Sequence, residues 1–126
     1  MDEKYNVGLV KHLGIRLVEV TPERVIGELE IRDGLRTLGG ALHGGTLMSL
    51  ADTVGAMGTF ADLKPGQRTA TIESKTNFFA AGRSGIVRAE STPLHKGKRT
   101  QVWQTRVTDE SGKLLSLTIQ TQAVLE

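Results

Sequence analysis

The chain has 126 residues, of which 24% are charged and 38% apolar, and 16 basic against 14 acidic side chains leave a net charge of +2. This is the size and make-up of one globular domain, expected to span residues 1–126. The charge is too small for a dedicated nucleic-acid binder, with no Lys/Arg stripe interleaved with aromatics, and the absence of cysteine excludes disulfides, thiolate nucleophiles and Cys-ligated metal sites.

The N-terminus, "MDEKYNVGLV", has no long apolar run of the signal-peptide kind, so the expected location is the cytoplasm. Residues 3–13 carry Val7, Leu9, Val10 and Leu13 at spacings that predict a short amphipathic helix. "IRLVEV" and "RVIGELEI" follow as an antiparallel strand pair, turned at Pro22, with Val25, Gly27, Leu29 and Ile31 alternating with polar residues. "RDGLRTLGGALHGG" reads as a glycine-rich loop, and a helix is expected from about 45 to about 62, ended by Pro65 and Gly66. A membrane span over residues 38–61 is excluded by its six glycines together with His43, Ser49, Asp52 and three threonines. Four strand-like runs complete the chain, "RTATIESKTNFF", "IVRAESTPLH", "RTQVWQTRVT" and "KLLSLTIQTQAVL", separated by turn residues and read as a meander. The order predicts an α+β domain, an antiparallel β-sheet wrapped around one central long α-helix.

Between Thr37 and Ala61 the only formal charge is Asp52, in a chain where 24% of residues are charged. On a helical wheel Leu47, Leu50, Val54, Met57 and Ala61 share one side, and Thr46, Ser49, Asp52, Thr53 and Thr59 the other. That second face has small residues in place of the Lys, Glu and Arg of a solvated face, as suits close packing against another surface. "LHGG" stands where the helix begins. Backbone N–H groups in a first turn have no internal partner and sit at the positive end of the helix dipole, the donor type that stabilises an oxyanion. Gly44 and Asp52 are eight residues apart, about 12 Å along one helix, whereas both must come within ~3 Å of one reacting centre to act on it together. If both act on one carbonyl, they come from different chains, which two helices packed antiparallel about a two-fold axis would bring together.

The stretch "LHGGTLMSLADT" resembles the signature of hot-dog-fold acyl-CoA thioesterases of the phenylacetate-degradation (PaaI) and 4-hydroxybenzoyl-CoA type, with the His43-to-Asp52 spacing of that family. "TIESKTNFFAAG" and "VRAESTPLHKGKRT" resemble its later strands, so the likeness covers nearly the whole chain. The resemblance implies hydrolysis of an acyl- or aryl-coenzyme A thioester at a site shared within a homodimer, two such dimers forming a homotetramer. Asp52 would be the nucleophile or the general base for water, the Gly44 N–H would polarise the carbonyl, His43 would orient the site, and Thr71 would position water or the carboxylate. Gly45, Thr37 and Thr53 are further expected contacts, Thr53 also as a donor to Asp52. Arg83, Lys96, Lys98 and Arg99, on exposed turns, are the expected partners of the coenzyme A phosphates.

The chain departs from the family pattern at Thr37, where an Asn or Gln is usual six residues before the histidine, at Ala56 one turn after the acid, and at Ala80 and Ala81. The acyl pocket is expected from Leu47, Met48, Phe60, Phe78 and Phe79 or their neighbours. No metal or organic cofactor is expected, since His12, His43 and His95 have no ligand spacing. Two other readings stand beside hydrolysis: a non-catalytic acyl-CoA sensor, and a hot-dog hydratase or dehydratase acting on acyl thioesters.

Overall fold

The computed structural model describes residues 1–126. The expected N-terminal helix is split. A 3-10 turn over Glu3–Tyr5, capped by the Asp2 carboxylate on the Lys4 N–H, is followed by extended Val7 and then by α1, Gly8–Leu13. Gly14 closes α1 at φ 79°, where its N–H reaches the Val10 and Lys11 carbonyls in the left-handed region that favours glycine. Tyr5 meets Phe60 edge to face at 6.0 Å, which ties this segment to the far end of the long helix.

The strands are β1, Arg16–Val20; β2, Val25–Glu30; β3, Arg68–Phe78; β4, Ile86–Lys96; β5, Thr100–Thr108; and β6, Leu114–Leu125. The long helix α2 runs Gly44–Asp62, between β2 and β3. All six strands form one antiparallel sheet in the order β1-β2-β4-β5-β6-β3, and α2 packs against every strand. This is the hot-dog arrangement expected from the sequence. One pairing corrects the expected meander: β3 does not join β4 but crosses the sheet to pair with β6, while β4 pairs with β2. The chain between β3 and β4 folds back against the loop before α2, where Leu42 N–H donates to the Gly82 carbonyl at 2.7 Å. No helix is long and apolar enough to cross a membrane.

The apolar core lies where α2 meets β1, β2, β4 and β5, around Leu50, Val54, Val25, Leu29, Val87 and Val107. Each fully buried aliphatic side chain there contributes about 1.5–3 kcal/mol. Helix and sheet approach closely because α2 has glycine at the contacts. A Cβ on Gly58 would lie 2.3 Å from the Trp103 ring, and one on Gly55 2.3 Å from Gln120 Oε1.

The other side of the sheet differs in character. The inward residues of β6, Ser116, Thr118, Gln120 and Gln122, are all fully buried and all polar. Across from them, in register, stand Phe78, Thr76, Ser74 and Thr71 of β3.

The small-residue face of α2 is likewise not one surface. Thr46 and Thr59 are buried in their own chain, Thr59 donating its hydroxyl to Gln101 Oε1 at 3.0 Å, whereas Ser49, Asp52, Thr53 and Ala56 are half-buried. The C-terminal half of α2 is gripped by β5, and the wheel cannot register a strand that reaches round to it.

Candidate active site

The loop before α2 is a tight hairpin. Thr37 N–H donates to the Ala41 carbonyl at 2.8 Å, Gly40 N–H returns to the Thr37 carbonyl at 3.0 Å, and Arg36 bridges Leu42. The Arg36 guanidinium fastens this hairpin to the β3–β4 loop, donating to the carbonyls of Gly40 at 2.7 Å and Arg83 at 2.5 Å. Exposed Thr37 makes no side-chain hydrogen bond, and the exposed Leu38 is at the hairpin tip.

His43 then enters the helix as its N-cap. Its backbone is extended, at φ −60° and ψ 137°, and its ring Nδ1 accepts from the Gly45 N–H at 2.7 Å. A neutral imidazole that accepts at Nδ1 carries its proton on Nε2. The cap has a consequence for the two glycine amides. Gly45 N–H is engaged by His43, and the next two amides, of Thr46 and Leu47, turn back to the His43 carbonyl. Gly44 N–H has no acceptor in the chain. One open donor therefore stands at the positive end of α2, with the Phe78 ring 3.2 Å from where a Gly44 Cβ would be.

Asp52 lies eight residues along the same helix. Thr71 Oγ1, from β3, donates to its Oδ1 at 2.7 Å, and Gln120 Nε2, from β6, donates to the same oxygen at 3.1 Å. No group in the chain donates to Oδ2. Thr71 also lies 2.7 Å from Gln122 Oε1. Its hydroxyl has one proton, so it serves Asp52 or Gln122 at any moment, not both. Thr53, the other expected donor, points elsewhere: its hydroxyl bonds the Ser49 carbonyl one turn back at 2.8 Å. Gln120 escaped the sequence reading because it stands 68 residues away, within what reads as an ordinary strand. The only signal is the alternation on β6 of Ser116, Thr118, Gln120 and Gln122 with Leu117, Ile119, Thr121 and Ala123, whose more apolar set is the one that faces outward.

The expected acyl-pocket residues separate. Leu47 is buried in the core and Phe60 meets Tyr5 at the far end of α2, whereas Phe78 packs on Gly44, and Met48 and Phe79 are partly exposed. The basic residues divide between the two ends of α2. Arg83 lies beside the hairpin at the helix N-terminus, 3.4 Å from the Gly39 carbonyl. Lys96, Lys98 and Arg99 lie at the β4–β5 turn near the C-terminus of α2, where Lys96 pairs with Glu23 at 3.2 Å and with Asp62 at 3.7 Å. Lys98 and Arg99 form no ion pair within the chain.

Residues 39–116, which contain His43, Gly44, Asp52 and Thr71, match the family model described as the thioesterase superfamily. The chain is 33% identical over 118 residues to the 1,4-dihydroxy-2-naphthoyl-CoA hydrolase of Listeria monocytogenes, covering 94% of this chain and 96% of that protein. It is 30% identical over 117 residues to the protein of the same name from Escherichia coli, covering 93% and 86%. Among solved structures, a thioesterase from Haemophilus influenzae superposes with a TM-score of 0.94 at 27% identity, covering 99% of this chain and 87% of that one.

Proposed function

The chain belongs to the thioesterase superfamily, and from that membership we propose that it hydrolyses an acyl- or aryl-coenzyme A thioester to the free acid and coenzyme A, at a site shared between two copies of itself. The observation that carries this reading is the pair of unspent groups on α2: the Gly44 N–H, which has no acceptor, and Asp52 Oδ2, which has no donor. Both face outward from one rigid element with about 12 Å of helix between them. One thioester carbonyl cannot meet both in a single chain. Two copies with antiparallel helices place the Asp52 of one against the Gly44 of the other.

The fold offers the surface for such an association. β3 pairs with β6 along one side only, its other side is an open edge of the sheet, and Ile72, Phe78 and Phe79 along or beside it are more than half exposed. An unpaired edge with exposed apolar side chains is a template for strand addition. A second β3 laid antiparallel along it continues the sheet and buries those side chains. In that pair the β4–β5 turn of one protomer comes to the end of the helix where the other holds Arg83. Lys98 and Arg99 of one copy and Arg83 of the other then face the same coenzyme A phosphates.

In the reaction the thioester oxygen accepts from the Gly44 N–H, and the carbonyl carbon is attacked either by Asp52 itself or by a water that gives its proton to Asp52. The carbon–sulfur bond breaks and the sulfur leaves as the coenzyme A thiol with a proton that comes from water; where Asp52 attacks, a water then cleaves the acyl–Asp52 anhydride, so that either route consumes one water and restores the carboxylate. His43 holds the open amide in place through its bond to Gly45, and Thr71 steadies the acid.

The test is release of free thiol across aryl, short-chain and long-chain acyl-coenzyme A, followed by mixing of subunits. Asp52→Asn and His43→Ala chains, each inert alone, regain turnover in mixed particles, where one of the two sites has an intact acid and an intact helix N-terminus. Mixed particles that stay inert exclude the shared site. Binding without turnover by the unaltered chain identifies a sensor instead, and addition of water to an enoyl-coenzyme A identifies a hydratase.

A further inference from the structure

The geometry points to Gln120 as a positioning residue that ties Oδ1 of Asp52 to the fold and leaves Oδ2 for the substrate, an inference resting on Asp52 being the reacting carboxylate. Gln120 is fully buried on the inward face of β6. Its Nε2 has three acceptors around it, Asp52 Oδ1 at 3.1 Å, the Asp52 carbonyl at 3.3 Å and Gln122 Oε1 at 2.8 Å. An amide oxygen in that position would face three acceptors and no donor, so the surroundings assign the nitrogen there. Gln122 is anchored in turn, its Nε2 donating to Thr69 Oγ1 at 3.0 Å.

The other end of the amide explains how it is held. Gln120 Oε1 is buried without a hydrogen-bond partner and rests on Gly55, where a Cβ would lie 2.3 Å away. A buried acceptor without a donor is costly, and a side chain of this length could ease that cost only by leaving Asp52. Gly55 gives it room to stay, wedged between helix and strand, so that sequence positions three apart on α2 are joined through one glutamine. Gln120 is the second donor of the pair, with two amide hydrogens for its three acceptors. Thr71 has one proton for two acceptors, and when it turns to Gln122 it satisfies the oxygen that competes for the Gln120 amide, which leaves a Gln120 hydrogen for Oδ1. With the plane of the carboxylate fixed from two strands, Oδ2 keeps one direction.

The experiment is steady-state hydrolysis by the full chain carrying Gln120→Met, Gly55→Ala or both, using the acyl-coenzyme A that the unaltered protein turns over best. Gln120→Met keeps the length of the side chain and removes its donor. Gly55→Ala keeps the donor and pushes the whole Gln120 amide from its seat, since Oε1, Cδ and Nε2 lie 2.3, 2.5 and 3.0 Å from the new Cβ, and thermal unfolding of each variant is read beside its kinetics. Each lowers kcat about ten- to hundredfold with KM within twofold, and the double variant falls no further than the worse single one, as for two changes acting through one contact. Unchanged kcat in either variant, a change confined to KM, or losses that multiply in the double variant overturns the proposal. If Gln120→Met does not fold, Gly55→Ala alone decides by the same kcat and KM criterion. Asp52→Asn run in parallel separates the two levels: if it keeps full turnover, the reading of Asp52 fails, and if it is inert while Gln120→Met turns over normally, only the role of Gln120 fails.

Discussion

Asp52→Asn lowers kcat about a thousandfold or more while the protein keeps its stability. A positioned carboxylate that takes a proton in the transition state is typically worth ~10²–10⁴ in rate, and an amide in its place can neither take that proton nor attack. Stability is spared because asparagine retains a carbonyl oxygen for the donors that now converge on Oδ1, the Thr71 hydroxyl at 2.7 Å and the Gln120 amide at 3.1 Å. Its new NH2 group occupies the place of Oδ2, which has no partner in the chain to lose. Thiol release by the variant, set against its thermal unfolding midpoint, checks both halves. A variant that hydrolyses at the native rate, or that fails only because it unfolds, removes Asp52 from the chemistry.

Gly44→Pro is the second large effect, because it deletes one hydrogen atom that the fold does not use. The amide of Gly44 bonds to nothing in the chain, and position N1 of a helix is where proline is best tolerated. The residue before it already has the extended backbone that proline demands, His43 at ψ 137°. The new ring carbons press on Phe78, whose side chain is half-exposed and able to give way. Removing one oxyanion donor costs about 2.7–4 kcal/mol of transition-state stabilisation, or roughly 10²–10³ in kcat. Gly44→Ala, which keeps the N–H and makes a similar contact with Phe78, is the control, and it retains most of the activity. Equal losses in the two variants would assign the effect to crowding at Phe78 and not to the missing donor.

Much of this molecule is legible in its sequence. The strand runs bounded by "TPER", "AAGRSG", "KGK" and "DESG" are the strands of the sheet to within a residue or two, because alternation and turn residues are local signals. α2 was placed to one residue at its start, from the glycines of "LHGG", and at its end, from the Pro65–Gly66 that follow. What escaped was non-local. The pairing of β3 with β6 joins segments separated by two other strands, and no local pattern encodes which edge a strand will find. Thr59 was grouped with Asp52 by helical angle but is buried against Gln101 of β5, since a helix enclosed by a curved sheet has different surroundings at each turn. At the site, the acid and the open amide were read from spacing and helix physics. The imidazole cap on Gly45 and the Gln120 donor to Asp52 were not, because each depends on a side-chain direction that only the folded chain defines.

The polar inner face shared by β3 and β6 bears on how the protein breathes. Thr71, Ser74 and Thr76 offer little hydrocarbon to the interior, so peeling β3 away from β6 gives up ladder hydrogen bonds but hardly any apolar contact. Local opening is cheapest where apolar packing is thinnest. In the unassociated chain amide deuterium uptake therefore runs faster along β3 than along β4 and β5, whose inward residues Val87, Ala89, Trp103 and Val107 are sealed in the interior, and pairing of β3 with a second copy slows it. In a single chain the Thr71 hydroxyl that donates to Asp52 is mounted on the strand that loosens first, so a second copy seated on that edge would also secure this contact.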